Sequence, residues 1–185
     1  SEVINQLYAY WNVSEKVKLT IGNFNTFLGY EVISPTANFN YSTSYLFSYG
    51  PFSHTGIKAD FALSENTSLM LAIMNPTDAT EFNPTGSYAF GAQLVFSGQY
   101  INFLLASGAY EIGFTGGFDV SETFFLGINA AYFSGDDAPG FYGAALYPQI
   151  ATSDSFKIGL RTEYFVEDGD FGAIGTGVED SSVFA

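Results

Sequence analysis

Along much of this chain, hydrophobic and polar positions alternate one by one. In FKIGLRTEYF, Phe156, Ile158, Leu160, Thr162 and Tyr164 fall on one side of an extended strand, and Lys157, Gly159, Arg161, Glu163 and Phe165 on the other. TFFLGINAAYF sets Phe124, Leu126, Ile128, Ala130 and Tyr132 against Phe125, Gly127, Asn129, Ala131 and Phe133. YEIGFTGGFDV, KVKLTIGNF and TGIKADFAL do the same around Ile112, Leu19 and Ile57. Period two is the signature of a β-strand with unlike faces. It predicts about ten strands, near 4–12, 15–24, 55–63, 67–75, 87–97, 99–107, 109–120, 122–134, 141–151 and 155–166, and an eleventh beginning at Ser181. The final SSVFA reads as the start of a strand, so the chain is expected to be part of a larger barrel.

The polar side decides between a soluble sandwich and a membrane barrel. Lys16, Lys18, Lys58, Lys157 and Arg161 all fall on it, among glycine, alanine and asparagine. A solvent-facing sheet is usually richer in Lys, Glu, Thr and Ser, whereas small and polar residues facing a lumen, with Leu, Ile, Phe and Tyr outward, describe a transmembrane barrel. The connections agree. Tight polar turns (NVSEK, LSENT, SGQ, VSET, TSDS) alternate with longer links at 25–53, 76–86, 134–140 and 167–180, apart from a short link near 107–109. Short periplasmic turns and longer outer loops are typical of such barrels. The expected fold is all-β: an antiparallel, up-and-down transmembrane barrel, one domain over 1–185, with 25–53 a long loop at its mouth or in its lumen.

Composition sharpens this picture. Aromatic residues make up 18% and charged residues 13% of the 185, against about 25% charged in a typical soluble domain. No segment approaches the ~18 unbroken apolar residues of a membrane helix. The absence of cysteine excludes disulfides, thiolate metal sites and a Cys nucleophile. A net charge of -14 with five basic residues argues against nucleic acid as a partner.

The loop itself is unusual. NFNYSTSYLFSYGPFSHTG, residues 38–56, carries aromatics every two or three positions with hydroxyls and amides between them, and His54 is its one ionisable group apart from the tyrosines. The run GNFNTFLGYEVISPTANFNYSTSYLFSYGPFSHTGIKADF, residues 22–61, resembles the putative β-barrel porin-2 family, also called OmpL-like, of Bacteroidetes outer membranes. GNF, LGYEVI, NFNYSTSYLFSYGPF and HTG carry the likeness. The resemblance implies a pore in a Gram-negative outer membrane, no chemistry, and a loop 25–53 that folds back at the mouth or into the lumen. Tyr41, Tyr45, Phe47, Tyr49 and Phe52 are then expected to pack on the wall or at the membrane interface, with Glu31 near the mouth. An extended edge strand with a wide bulge is the competing expectation for this segment.

Lys16, Lys18, Lys58, Asp60, Asp119, Lys157, Arg161 and Glu163 are the expected lumen-lining charges, which either bias solute passage or pair and stiffen the interior. Lys58 and Asp60 are expected opposite Lys16 and Lys18. His54 has no Ser or Asp arrangement around it in sequence to make it a catalytic base. GFTGG at 113–117 lies within an alternating strand and lacks the following Lys of a phosphate loop. The acidic stretches SGDD and EDGD do not have the spacing of a calcium loop, and the three Asn-X-Ser sites at Asn12, Asn40 and Asn66 are chance matches in a bacterial barrel. No enzyme activity, cofactor or metal is expected. Expected partners are outer-membrane lipid and lipopolysaccharide, with other outer-membrane proteins or self-association. The expected function is passive diffusion of ions or small hydrophilic solutes. The alternative is a plugged barrel serving as a structural or accessory subunit. A soluble acidic sandwich and a barrel phospholipase are two further classes, the latter requiring a Ser–His pair that the sequence does not offer.

Overall fold

The structure, a computed structural model, describes residues 5–83, 85–136 and 138–185. It is all-β apart from two short helical turns. Twelve strands follow the chain: β1 (Leu7–Ser14), β2 (Val17–Asn25), β3 (Ser53–Ala62), β4 (Thr67–Met74), β5 (Ala89–Phe96), β6 (Gln99–Ala106), β7 (Ala109–Asp119), β8 (Phe124–Gly135), β9 (Gly140–Ser153), β10 (Phe156–Gly159), β11 (Thr162–Asp168) and β12 (Ser182–Phe184). Hydrogen-bonded neighbours run β1 to β9, then β11 and β12, with β10 also on β9: an antiparallel meander. Among the described residues β1 pairs with β2 alone and β12 with β11 alone.

The count of twelve corrects the expected ten or eleven. The predicted strand 155–166 is two strands, β10 and β11, interrupted at Leu160 and Arg161. The cause lies across the ladder. Gly159 pairs with Gln149 and Thr162 with Leu146, so the register is unbroken. Pro148, opposite the gap, accepts from Leu160 N–H at 3.0 Å but has no N–H to give back. The expected strand at Ser181 is β12. Of the first predicted strand, Ile4 lies outside the described residues, as does Asp137 of SGDD.

The chain forms two compact units. Unit 1 comprises 1–28 and 51–112. From β2 to β6 its strands keep a continuous register: Lys18 pairs with Asp60, Asp60 with Met70, Met70 with Gln93, and Gln93 with Asn102. Positive φ at Ser97 (50°) and Gly98 (79°) makes the β5–β6 connection a two-residue turn whose twist suits the strands. One face gathers Phe24, Leu28, Met70, Ala72, Met74, Ala89 and Leu104.

Unit 2 comprises 29–50 and 113–185. In it β8 and β9 pair from Phe124 opposite Ile150 to Phe133 opposite Phe141. Leu46, Phe141, Ala145, Tyr147 and Phe165 form its apolar cluster.

Burial is inside-out relative to a soluble sheet. Thr20, Asn23, His54, Asn102, Glu111, Thr115, Asn129 and Glu163 are buried. Ile57, Leu71, Ile73, Phe90, Ile101, Leu105, Ile112, Tyr142, Leu146 and Ile150 are exposed. Within β4, Ile73 is 55% exposed beside Met74 at 0%. Alternation has thus sent the large aliphatic residues outward and the polar ones inward, as strands facing lipid do. Contiguous exposed apolar surface of this kind is rare on soluble monomers.

Candidate constriction site

The segment between β2 and β3 is a strap laid over the polar face, not an edge strand. Its two helical turns are a 3-10 turn at Pro35–Ala37 and α1 at Tyr45–Tyr49. Pro35 sits at the start of its turn, where a missing N–H and fixed φ cost nothing. Ser44 caps α1 by accepting from Phe47 N–H at 3.1 Å.

Within unit 2 the strap is tied by charges. Glu163 of β11 accepts from Tyr45 N–H and Leu46 N–H, each at 2.8 Å. Both donors are at the first turn of α1, where a carboxylate is favoured. Arg161, two residues earlier and on the same face, donates to Glu31 at 3.1 Å and to the Ser42 backbone and hydroxyl. Glu31 also accepts from the Ser44 N–H at 3.0 Å and from its hydroxyl. The Glu31 side chain is 3% exposed and that of Arg161 13%. A pair this dry adds little over an apolar substitute, but removing one partner strands the other.

Aromatic packing completes the attachment. Tyr30 stacks on Tyr147 with ring centroids 4.4 Å apart. Its hydroxyl lies where a Cβ at position 127 would stand, and the Phe39 ring lies where one at position 159 would stand. Burial, and then the nearby Glu31 carboxylate, raise the Tyr30 pKa above the ordinary phenol value. Unit 1 repeats the device on its own stretch of strap. Phe27 rests on Gly91, and Gln93 donates to the Phe27 carbonyl at 2.9 Å and to Asn102 at 2.8 Å. Gly91, Gly127 and Gly159 are thus landing places for loop aromatics.

The expected site residues fall into different settings. Lys18 and Lys58 each approach Asp60 at 3.6 Å, and Lys58 lies 5.4 Å from the centre of the Phe24 ring. Lys16 is not on a strand: it is exposed in the β1–β2 turn, with its carbonyl bonded to Ala62 rather than its side chain facing Asp60. Asp119 ends β7, and with Lys157 it borders a recess under residues 37–40. Arg161 and Glu163 are strap ties. Glu31, expected near the mouth, is buried against the wall. Tyr45 packs on Phe165 at 5.4 Å, and Tyr49 donates its hydroxyl to the Ala173 carbonyl at 3.1 Å. Phe47 is half-buried. Tyr41, expected on the wall or at the membrane interface, is 92% exposed and so does not pack on the wall, where Ser42 and Ser44 take the inward contacts. Phe52 is 39% exposed, and its N–H and that of Ser53 donate to Asp78. His54 is buried between Phe24 and Phe27, and its Nε2 bonds the Thr26 hydroxyl at 3.0 Å.

Sequence reasoning missed Ser44, Gln93, Asn102, Tyr30 and Tyr147. Ser44 was legible as a helix cap. Gln93 and Asn102 were legible as cross-strand partners once the Ser97–Gly98 turn fixes the register. Nothing in sequence links Tyr30 to Tyr147.

A family profile described as Putative beta-barrel porin-2, OmpL-like, matches residues 1–185. The chain belongs to this family. Comparison with curated proteins and with solved structures returned no match. Membership in the porin-2 family agrees with the inside-out burial and the antiparallel meander. Among the described residues there is no cluster of side chains suited to hold a metal ion.

Proposed function

We propose that the chain forms part of an outer-membrane pore for passive diffusion of ions or small hydrophilic solutes. No reaction is involved. The observation carrying this reading is the burial of Asn, Thr, His and Glu on one face with Ile, Leu and Phe exposed on the other, in a chain of a β-barrel porin family. The strap 25–53 narrows the passage, and the Lys18–Asp60–Lys58 cluster contributes a field for permeating ions. The partners in this reading are outer-membrane lipid and lipopolysaccharide.

A second reading is a plugged accessory barrel. It draws on the strap's buried carboxylates and apolar packing, which are more than a mobile constriction requires. Planar-bilayer conductance of the full-length protein, with and without residues 38–52, separates the two. Stepwise current that grows on deletion supports the pore. Silence from both forms, folded and inserted, sinks it in favour of the plug.

A further inference from the structure

Beside the strap, unit 2 contains a recess of about 460 Å³, within the roughly 300–1,000 Å³ span of small-molecule sites. Tyr30, Phe39, Phe125 and Tyr147 bring rings to its wall. Phe39 remains 46% exposed, so its ring is available to a ligand. Asn40, Asp119, Gln149 and Lys157 stand among the rings. The Asn40 amide oxygen is shielded from solvent and accepts no hydrogen bond among the described residues. Glu31 also borders the recess, but its carboxylate is taken by Arg161 and Ser44. That leaves one anionic and one cationic side chain, Asp119 and Lys157, which no described ion pair joins.

The lining therefore offers flat apolar faces, the amides of Asn40 and Gln149 beside an Asn38 already bonded to Val32, and the balancing charges of Asp119 and Lys157. An inorganic anion would meet Asp119, and a metal cation Lys157, as a charge of its own sign. A ligand with a C–H face and a rim of hydroxyls suits this lining: the face lies on a ring, and the hydroxyls donate to Asp119 and accept from Gln149 and Lys157. We propose that this recess is a saccharide-binding subsite for a neutral mono- or disaccharide. As a station on a permeation route it rests on the pore reading above; as a binding site it does not.

Isothermal titration calorimetry of the full-length protein in detergent tests it, with maltose and lactose as probes and glycine and inorganic phosphate as comparisons. Saturable binding of at least one disaccharide is expected. Phe39→Ala lowers that affinity about three- to tenfold, Asp119→Asn does so by a similar factor, and Tyr41→Ala, outside the recess, leaves it unchanged. The proposal is overturned if neither disaccharide binds the folded protein, or if both recess variants bind as wild type does. It is equally overturned if glycine displaces the sugar, which would make the recess a zwitterion site. Sugar binding without conductance would sink the pore reading and keep the subsite; conductance without sugar binding would do the reverse.

Discussion

Both units carry charged side chains on the polar face, and they use them differently. In unit 1, Lys18, Asp60 and Lys58 sit 3.6 Å apart with their side chains 22–47% exposed. In unit 2, Arg161 and Glu31 meet at 3.1 Å in a nearly dry setting, and Glu163 spends both oxygens on backbone N–H groups. The first cluster is partly exposed, and such pairs stabilise little. The second holds a segment of chain in place. Alternation alone treats all of these residues as equivalent. The presence of a loop above them decides which are available to a solute and which are structural ties.

The comparison can be broken most forcefully at Arg161. Arg161→Ala leaves Glu31 buried without its cation and should cost about 3 kcal/mol or more. Urea unfolding in detergent and faster proteolytic cleavage within 38–52 would both register it, and unchanged cleavage would show that the strap is held by other contacts. Glu163→Gln ranks next, at about 1–3 kcal/mol, because one of its two acceptor oxygens becomes a donor facing an N–H. Gly91→Val should have an effect of about 1–3 kcal/mol by displacing the Phe27 ring. It should leave cleavage at 38–52 untouched, and a change there would mean that the two stretches of strap are not independently fastened.

The Tyr30 phenol gives a smaller effect with a pH signature. Its pKa is raised by burial and then by Glu31, so the neutral form is the one the fold prefers. The stability it contributes is whole below the ordinary value near 10 and is lost as pH rises through the higher folded value. Tyr30→Phe should remove that alkaline loss from a stability–pH profile. Asp60→Asn should be the mildest, at most about 1 kcal/mol. Its expected signature is a shift of conductance toward anions, measured by reversal potential in a salt gradient; an unmoved reversal potential would place Lys18 and Lys58 off the ion path.

Much of the sheet was legible because alternation is local. The parity that put Arg161 and Glu163 on one side, and Tyr164 on the other, needs only neighbours in sequence, and the structure buries Glu163 while leaving Tyr164 exposed. The break between β10 and β11 was less visible, since it arises from Pro148 on the facing strand. The α1 turn had its cap in plain view at Ser44, but YLFSY also suits an extended strand, and the acceptor that settles its N-terminus is on β11. The role of Glu31 was hidden for the same reason. A carboxylate in a loop reads as solvated until its partner is known.

The span of chain between the strap's ends and its fasteners sets an order of assembly. Glu31 and Arg161 are 130 residues apart, and Tyr45 and Glu163 are 118. The hairpins of the meander bring together residues close in sequence, whereas contacts this distant carry a larger closure entropy and form late. The strap leaves the sheet after β2, and although β8 and β9 offer it aromatic contacts, its charged ties to Arg161 and Glu163 cannot form until the chain has reached β11. A chain interrupted before Arg161 would carry the loop without its charged ties. In the completed fold the strap is therefore expected to settle last, after the wall it rests on.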